Sequence, residues 1–462
     1  MERMTGSDAF LLHMEDDITP MHTLKVVILD PSRLGRGITL DELTAVVQVR
    51  LGLVPRFTQK VVFAPGFKGR PFWVDDPDFD LGAHLDERTL PTGSAAELDA
   101  VYGDLASQFL PRDRALWSLT LVHGLEGGRQ AVVARVHHAI VDGLGALNTM
   151  LAVSTEDPAS VVPPVPAADP REATPFRLAR AAAADTLRTW RTIPSVVRAA
   201  NDARRRSGGG SHPDIPSFLS FKRSSINAAG SSDRVCASGS LDLATMRAIG
   251  KASGTTINGV WHTVIATALR EELLARGEDI SNPCRAAFGI ASNTSDSGRL
   301  YGNAVTPAFV NLRSDLDDMN ERLLATARSC KVAVAARREA GLDLTDQLSA
   351  YAPRALNGAK RVLANRTTMN PSHVVTANVP GPQHQRWVGP IGIEGWWSFA
   401  VAVKPASVNI TAHSYDGRLN IGIIADPVAL PDPQVLIDRL DKALDELESA
   451  VLLPTAPAFA VA

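Results

Sequence analysis

Cysteine is scarce in this chain. The 462 residues include three cysteines, Cys236, Cys284 and Cys330, which are odd in number and lie far apart. A disulfide framework needs several cysteines that can pair, and a cysteine-based zinc site needs cysteines closely spaced. The sequence therefore argues against both, and it favours a reducing, cytoplasmic location.

The chain also lacks an excess of charge of either sign and a long apolar run. Its 47 Lys and Arg residues oppose 50 Asp and Glu residues, so no global basic field is available for nucleic acid. No uninterrupted apolar stretch approaches the roughly 18 residues that a membrane span needs, and residues 1–4 carry no basic-then-apolar signal. We therefore expect no nucleic-acid partner and only peripheral contact with a membrane.

The length of the chain exceeds what one hydrophobic core usually supports, so two domains are expected. The pattern from residue 20 to 153 alternates short β-branched runs with helical segments, which is typical of a mixed α/β domain. Two stretches rich in Pro, Ala or Gly, at 158–175 and 207–216, bracket a linker. The predicted divisions are an N-terminal half over 1–155, a crossover linker over 156–217 and a C-terminal half over 218–462.

Hydrophobic periodicity predicts individual elements in both halves. In the N-terminal half it indicates a strand over Leu24–Leu29 and a helix over Leu40–Leu51. The pair Asp416-Gly417, followed by an apolar run over Leu419–Ala425, is typical of a tight hairpin. The other predicted elements of the C-terminal half are strands at 234–238, 304–311, 398–404 and 408–415 and helices at 243–253, 259–276 and 431–451.

The linker contains a basic segment. Phe176–Arg206 has helical composition and eight arginines, opposed only by Asp185 and Asp202. One interpretation is an amphipathic helix that carries Trp190 and lies on an anionic lipid surface. The other is a solvated crossover between domains, which is the more common use of such a charge run. In either case Pro194 is expected to kink or divide the helix.

The motif most suggestive of chemistry is His137–Gly143, which reads His-His-Ala-Ile-Val-Asp-Gly. It follows a short β-rich run, so both histidines are expected at or just beyond a strand end. Because adjacent strand residues point to opposite faces, one imidazole can enter a cavity while the other packs behind it. Asp142 is placed to cap a helix over Gly143–Val153, and Gly143 can take backbone conformations that other residues avoid. The joint spacing indicates a reactive site.

Each residue of the motif also has an ordinary structural interpretation. A strand-end histidine is usually a satisfied core group, an aspartate before a helix a cap, and a glycine there a turn. A metal site is a further alternative, because His137, His138 and Asp142 are all possible ligands. Adjacent diverging side chains chelate poorly, however, and no His-x-x-x-His or cysteine cluster completes a ligand set. We expect neither a metal site nor a bound cofactor.

The chain resembles the bacterial wax ester synthase/diacylglycerol acyltransferase family, a branch of the CoA-dependent acyltransferases that share the His-His-x-x-x-Asp-Gly motif. Matching blocks follow in family order along nearly the whole chain. They are Ser7-Asp8-Ala9-Phe10-Leu11 with Pro20-Met21-His22, the block from Pro71 to Asp80 with His84, Leu110–Trp117, the histidine motif, Ala377-Asn378-Val379-Pro380-Gly381-Pro382, and Ser414-Tyr415-Asp416-Gly417.

The chain departs from the family pattern at two places. Ala115-Leu116-Trp117 stands where the family usually has Pro-Leu-Trp, which removes only some loop rigidity. Asn258-Gly259 stands where the family usually has Asn-Asp before a helix, which removes a carboxylate near the expected cleft. The second departure affects the expected acceptor preference or catalytic rate.

The resemblance implies a fold and a set of site residues. The fold is a pseudo-dimer of two similar α/β halves, like those of chloramphenicol acetyltransferase, around a tunnel that acyl-CoA and alcohol enter from opposite sides. His138 is the implied general base, supported by His137, Asp142 and Gly143. Asn258 and Asn378 are candidates for shaping the cleft, although an asparagine can equally stabilise a Pro-Gly turn. Trp117, with Trp396 and Trp397, is a candidate for lining the tunnel, although buried aromatics are more often plain core.

The implied reaction is direct acyl transfer. An alcohol with a pKa of about 15.7 attacks a thioester slowly unless a base removes its proton, and a neutral imidazole with a pKa near 6.5 is available at cytoplasmic pH. The leaving thiolate has a pKa of about 8.5, so the intermediate collapses without a strong acid. No serine or cysteine nucleophile is required, and acyl-CoA acts as a co-substrate.

The leading hypothesis is an acyl-CoA-dependent O-acyltransferase that esterifies diacylglycerol to triacylglycerol, with some capacity to make wax esters from long-chain alcohols. One alternative is a condensation-type enzyme that uses carrier-bound donors. The other is a lipid-surface binding protein of the same fold with little turnover. Expected partners are acyl-CoA, diacylglycerol or a long-chain alcohol, and a membrane or lipid-droplet surface; the protein is expected to be a monomer or a homodimer.

Overall fold

The protein is a mixed α/β structure with two six-stranded sheets, as a computed structural model shows. Residues 1–66, 70–171, 173–206, 214–216, 221–291, 298–340 and 372–453 are described. Most of the predicted breaker stretch at 207–216 and the side chains of Arg204, Arg205 and Arg206 lie outside the described part.

The strands and helices are numbered here in chain order. The strands are β1 (Glu2–Arg3), β2 (His22–Asp30), β3 (Gln59–Val62), β4 (Phe72–Asp75), β5 (Leu85–Thr89), β6 (Trp117–His123), β7 (Gln130–His137), β8 (Val235–Asp242), β9 (Arg285–Ala291), β10 (Val305–Asn311), β11 (Val374–Val379), β12 (Arg386–Val388), β13 (Ile391–Phe399), β14 (Val408–Tyr415) and β15 (Arg418–Ala425). The helices are α1 (Gly6–Met14), α2 (Leu40–Gln48), α3 (Ala95–Ser107), α4 (Gly143–Val153), α5 (Pro175–Arg206), α6 (Leu243–Ser253), α7 (Ile257–Ala275), α8 (Met319–Ala340) and α9 (Gln434–Leu452).

The N-terminal sheet has the strand order β12-β13-β2-β7-β6-β5. Its apolar residues alternate between two faces, as the period of two along a strand requires. Leu24, Val26 and Ile28 on one face pack with residues of α3 in a single core cluster. The opposite face, which carries Val27 and Leu29, forms the floor of a cavity. The predicted strand at residues 24–29 is confirmed within β2.

The C-terminal sheet has the order β10-β9-β11-β14-β15-β8 and packs against α6, α7 and α9 in the largest core cluster. Strands β14 and β15 form the predicted hairpin. Asp416 and Gly417 at its turn have φ values of 45° and 78°, the left-handed conformation that a two-residue turn of this kind needs. A separate three-stranded sheet has the order β1-β4-β3.

The N-terminal sheet includes two strands from the C-terminal half of the sequence. Strands β12 and β13 lie in the C-terminal half of the sequence, yet β13 pairs antiparallel with β2 of the N-terminal sheet, with Ser398 opposite Lys25. Trp397 of the same strand donates from Nε1 to the carbonyl of Gly239 in β8, which belongs to the other sheet. One strand therefore joins the two sheets. The division of the sequence at 155 and 218 remains a prediction, and the sheet composition crosses it.

One prediction about elements was wrong and a second was wrong in part. A strand was expected over residues 398–404, but β13 ends at Phe399, its last residue paired with β2, and the apolar residues that follow are not in a strand. Pro194 was expected to kink or divide the linker helix; α5 is not divided there, and a kink stays a prediction. Pro194 is exposed, so water can satisfy the carbonyl that its missing N–H leaves without a partner.

The predicted helices at 40–51, 143–153, 243–253, 259–276 and 431–451 are present as α2, α4, α6, α7 and α9, and their ends agree within a few residues. None of the helices in the described part of the chain is long and apolar enough to cross a bilayer.

Candidate active site

His138 lies directly beyond the end of β7, where its backbone N–H donates to the carbonyl of Met21 at 2.7 Å. Its side chain is half-buried, and its Nδ1 lies 3.0 Å from Oδ1 of Asn303, a residue of the C-terminal half. The imidazole therefore sits where the two halves meet, and it is not sealed in packing.

Asn303 determines which nitrogen of His138 carries the proton. Its Nδ2 donates to Oδ1 of Asp8 at 2.8 Å and to the carbonyl of His138 at 2.7 Å. Since both of these partners are acceptors, the amide orientation is fixed and its Oδ1 faces the imidazole as an acceptor. His138 must then donate from Nδ1, which leaves Nε2 with a lone pair.

Asp8 anchors this arrangement from α1. Its carboxylate also accepts from the backbone N–H of Asn303 at 3.0 Å, and Thr5 caps the helix by accepting from the N–H of Asp8. Burial raises the pKa of Asp8 to about 6, although the hydrogen bonds from Asn303 and Thr5 oppose the shift. The residues Asp8, Asn303 and His138 thus form one chain of hydrogen bonds.

His138 is held in its neutral form. Burial lowers the pKa of His138 below its ordinary value of 6.5, and the positive charge of Lys25 lowers it further, whereas Asp142 and the hydrogen bond to Asn303 oppose the shift. A neutral imidazole with Nε2 unprotonated is the form that a general base requires.

His137 points away from His138, as strand alternation predicts, and is fully buried. Its Nδ1 accepts from the backbone N–H of Ala139 at 3.0 Å, and its Nε2 lies 3.4 Å from Oε2 of Glu15. Burial lowers the pKa of His137 to about 4, although Glu15 opposes the shift. Burial would raise the pKa of Glu15, but hydrogen bonding to His137 and the charge of Arg112 hold it at about 2. Both nitrogens of His137 are thus engaged, which suits a supporting role.

Asp142 caps α4 and ties the motif to the C-terminal half. One carboxylate oxygen accepts from the backbone N–H of Gly145 at 2.9 Å, as the sequence predicts for an N-cap. The other accepts from Arg299 at 2.7 Å and from the N–H of Ala304 at 3.0 Å. Gly143 is needed for a different reason than expected: a Cβ there would lie 2.9 Å from Cγ2 of Val379, so the close approach of β11 requires its small size.

An apolar cavity of about 510 Å³ lies beside the motif, a size typical of small-molecule sites. It is bounded by β2, β6 and β7 on one side and by α2 and α4 on the other. Three residues close to His138 in the sequence line it: Val136, which precedes His138, and Ile140 and Val141, which follow it. The C-terminal half contributes Leu300, residues 388–391, Ile393 and Trp396, and the linker contributes Val161 and Val162.

Trp117 lines this cavity from β6. Its ring stacks on His84 at a centroid distance of 4.5 Å, and its Nε1 donates to the carbonyl of Phe57 at 2.8 Å. Trp396 also lines the cavity, whereas Trp397, one residue further along β13, points to the opposite face of the sheet. Of the three candidate tryptophans, two therefore face the cavity.

The two candidate asparagines lie outside the lining of this cavity. Asn378 is in β11 opposite Ala412 of β14, one residue before the Val379 that contacts Gly143. Asn258 lies within the first turn of α7, not before the helix, because Thr256 is the N-cap residue. The carbonyl oxygen of Asn258 lies 2.8 Å from Nδ1 of His262. Their roles toward substrate remain predictions.

Gly259 has a packing explanation. A Cβ at this position would lie 2.8 Å from Cβ of Ala327 in α8 and 3.3 Å from its Cα. An aspartate, the usual family residue, does not fit between α7 and α8 as they are packed here.

Sequence reasoning missed Asn303, Arg299 and Lys25. Asn303 and Arg299 lie about 160 residues from the motif, and no local pattern marks them. Asp8 belongs to the block Ser7-Asp8-Ala9-Phe10-Leu11 that resembles the family, and this resemblance could have marked it as a site residue. Lys25 was an unexpected charge in a predicted apolar strand, and that irregularity was the sign that it faces something other than plain core.

Comparisons with known proteins agree with this architecture. Residues 4–261 match the wax ester synthase/diacylglycerol acyltransferase catalytic domain, and residues 301–448 match the C-terminal domain of the same family. A Mycobacterium tuberculosis protein named for diacylglycerol O-acyltransferase activity is 31% identical over 99% of both chains. A second such protein from this organism is 30% identical over 94% of this chain and 93% of its own.

Among solved structures, the wax ester synthase/diacylglycerol acyltransferase of Marinobacter aquaeolei VT8 is similar with a TM-score of 0.70 and 24% identity, over 97% of this chain and 99% of that chain. The first condensation domain of the calcium-dependent antibiotic synthetase is similar with a TM-score of 0.62 and 16% identity, over 98% and 97% of the two chains. At these identities the likeness concerns the fold.

Proposed function

The chain belongs to the wax ester synthase/diacylglycerol acyltransferase family, and on that premise we propose that it is an acyl-CoA-dependent O-acyltransferase that esterifies diacylglycerol, and also long-chain alcohols, with His138 as the general base. The observation that carries the proposal is the contact between Nδ1 of His138 and Oδ1 of Asn303, from which the tautomer of His138 is inferred. Asn303 occupies Nδ1, so Nε2 is left to accept the proton of an alcohol.

The proposed step balances without a covalent enzyme intermediate. The alcohol oxygen attacks the thioester carbon as its proton passes to Nε2 of His138, and a tetrahedral oxyanion forms. Collapse of the oxyanion breaks the carbon–sulfur bond and releases the CoA thiolate, which recovers the proton from Nε2. The ester and CoA leave, and His138 returns to its neutral form.

The cavity supports transfer to an alcohol rather than to water. Its walls are mostly Val, Leu, Ile and Trp side chains, which fit a fatty chain and leave few polar groups to hold water near the thioester. A cavity of this kind lowers competing hydrolysis.

The test is turnover by purified His138→Ala, followed as thiol release from hexadecanoyl-CoA with diacylglycerol or hexadecanol as acceptor. We expect a loss of about 10² to 10⁴ in kcat, the usual contribution of a general base. His384→Ala, which changes an exposed histidine, is the matched control. Near-normal turnover by His138→Ala would contradict the assigned role. Activity only with carrier-bound donors would favour a condensation-type enzyme.

We further propose that α5 attaches the enzyme to an anionic lipid surface. With about 100° of rotation per residue, Leu187, Trp190, Ile193 and Val197 share one side of the helix. They are exposed by 56%, 70%, 41% and 53%. Such a stripe of large apolar side chains open to solvent is typical of a membrane-contacting helix.

The exposed positive charge of α5 favours an anionic lipid. Arg188, Arg191 and Arg198 are exposed beside the apolar stripe on the same helix. The acidic Asp185 lies on the side that packs on the protein and pairs with Arg3 and Arg70. The exposed surface of α5 therefore presents positive charge next to apolar side chains, the combination that anionic headgroups attract.

Co-sedimentation with vesicles tests this attachment. Wild-type protein is expected to bind phosphatidylcholine vesicles that contain phosphatidylglycerol, and high salt should weaken that binding. Arg188→Glu with Arg191→Glu should abolish it, whereas Lys251→Glu with Lys331→Glu, an equal charge change on other helices, should not. Equal binding by both double variants would refute the role of α5.

A further inference from the structure

Lys25 is a charged residue in the lining of a mostly apolar cavity. It lies on the cavity face of β2 between strands whose neighbouring lining residues are Val27, Ala134 and Trp396. Its Nζ donates to Oγ of Ser398, which lies directly opposite in β13, at 3.3 Å. Within the part of the chain that the structure describes, this ammonium group has no direct carboxylate partner, although the more distant charge of Asp142 stabilises its charged form. A charge in an apolar cavity without a direct ion-pair partner is costly.

A second observation lies beside the first. His413 is 1% exposed, and neither of its ring nitrogens has a hydrogen-bond partner among the described residues. Its ring contacts Trp396 at a centroid distance of 4.1 Å, and Nε1 of Trp396 also has no partner among those residues. Buried polar groups are nearly always satisfied, so the N–H groups of Trp396 and His413 are available to an acceptor that is not part of the chain.

These side chains belong to one neighbourhood. Trp396 and Ser398 project from the same face of β13, and Ser398 binds Lys25. The charge of Lys25 is felt at His413: burial lowers the pKa of His413 to about 3, and Lys25 contributes to the shift. Burial lowers the pKa of Lys25 to about 8, so the ammonium form still predominates at neutral pH. We call Lys25, Trp396, Ser398 and His413 the Lys25 cluster.

We propose that the Lys25 cluster binds a carboxylate carried by the substrate, on the acyl chain or on the acceptor alcohol, at a distance from the reacting carbon. The proposal rests on the proposed acyltransferase function and specifies its substrate class. The ammonium group supplies the counter-charge, and the indole and imidazole N–H groups supply further donors to the carboxylate oxygens.

The sheet register gives the scale of the substrate. Lys25 pairs with Ala134 in β7, and His138 lies four residues further along the chain. At about 3.3 Å per residue the backbones of Lys25 and His138 are separated by roughly 13 Å along the strand direction, with His138 one residue beyond the end of β7. The carboxylate is therefore separated from the ester-forming end by a chain of several methylenes, as in a long hydroxy acid or a dicarboxylic acid thioester.

The experiment compares substrates that differ only in a terminal carboxylate. One pair is 16-hydroxyhexadecanoic acid and hexadecanol as acceptors, and the other is the mono-CoA thioester of hexadecanedioic acid and hexadecanoyl-CoA as donors. In one of the two pairs the wild-type enzyme should prefer the carboxylate form, and Lys25→Met should lower the ratio of kcat/KM values by about 10-fold or more. Lys25→Arg, which keeps the charge, should retain part of the preference.

A binding arm decides the proposal independently of turnover. Calorimetry with hexadecanedioate should show binding to the wild type that is about 10-fold weaker in Lys25→Met, whereas Lys251→Met, an exposed control, should bind normally. The absence of turnover with every substrate would refute the proposed function but not this binding. Equal losses for both members of each pair, or equal binding by wild type and Lys25→Met, would overturn the Lys25 cluster as a carboxylate site.

Discussion

Two neighbouring histidines in this protein have opposite tautomers because their partners differ. His137 accepts at Nδ1 from the backbone of Ala139, whereas His138 donates from Nδ1 to Asn303. The first ring therefore carries its proton on Nε2 toward Glu15, and the second keeps Nε2 free. The difference in hydrogen bonding explains why only His138 is suited to remove a proton.

The pH dependence of the reaction follows from the lowered pKa of His138. A general base works when it is unprotonated, and burial together with Lys25 places the pKa of this group below 6.5. With hexadecanol as acceptor, kcat should decline as the pH falls, with a midpoint below 6.5. The rate of thiol release, measured at a series of pH values, tests this prediction. A midpoint of the kcat–pH profile above 6.5 would contradict the assignment of His138 as the base.

Asn303→Ala should impair catalysis more than binding. It removes the acceptor that fixes the His138 tautomer, so we expect a decrease of about 10- to 100-fold in kcat with a smaller change in KM for acyl-CoA. The exposed Asn282→Ala serves as the control. A pure KM effect, or equal losses in both variants, would show that Asn303 does not position the base.

At the residue scale the sequence predicted the motif and not its supports. The different surroundings of the two histidines and the capping by Asp142 followed from alternation along a strand and from helix capping, which are local rules, whereas the role of His138 as base was implied by the family resemblance. Asn303 and Arg299 reach the motif only through the packing of the two halves, and no local rule relates positions that far apart in the chain.

At the scale of elements, one carboxylate makes a large contribution to the join between α4 and the C-terminal half. Asp142 is 2% exposed and binds Arg299 as well as the first turn of α4. Asp142→Ala should lower the free energy of unfolding by about 3–5 kcal/mol, because it leaves a partly buried guanidinium unpaired and removes the cap.

A double-mutant cycle in urea measures this coupling. Asp142→Ala with Arg299→Ala should cost less than the sum of the two single changes, because the pair disappears together. Additive costs would mean that the ion pair contributes nothing. Asp142→Asn, which can still cap the helix, should fall between wild type and Asp142→Ala.

The crossing of α7 and α8 depends on Gly259. Gly259→Asp should lower the free energy of unfolding by about 1–3 kcal/mol, because its Cβ overlaps Ala327 and the overlap outweighs the helix propensity gained. Adding Ala327→Gly should restore part of the loss, as thermal unfolding would show. A stable Gly259→Asp protein would refute the packing explanation for this departure from the family.

Elements were predictable where periodicity was strong and less so where proline intervened. Helices α4 and α6 have the bounds that their patterns predict, and β14 does too. The strand that contains Ser398 was placed too late, because the apolar run continues past the end of hydrogen bonding toward Pro405. The helix was predicted to kink or divide at Pro194 because sequence rules weigh the lost hydrogen bond without the solvent that replaces it, and it is not divided.

At the scale of the whole molecule, the placement of β12 and β13 makes the two halves one unit. The pairing of β13 with β2 places two C-terminal strands in the N-terminal sheet, since β12 pairs with β13, and apolar side chains of β13 join the core of that sheet. Sequence order alone does not predict this, because the pairing joins residues more than 350 positions apart and strand order is set by tertiary packing.

Cutting the exposed linker should therefore leave the molecule intact. A protease site inserted between Ala168 and Asp169 and then cleaved is expected to yield two fragments that co-elute at the size of the uncut chain and separate only in denaturant. Uncut protein carrying the same insertion is the control. Separation of the fragments in native buffer would show that the shared sheet contributes little to association.

The connecting segment has a further consequence. Val161 and Val162 form part of the cavity wall, and Val165 exchanges backbone hydrogen bonds with Val49 and Gly52 next to α2. Such a surface segment tolerates replacement during evolution, since few of its side chains are held by neighbours. Substitutions in this segment can change the shape of the cavity, and with it the preferred lipid substrate, without changing any reactive group. New substrate specificities in this lineage would then arise first in the least constrained part of the polypeptide.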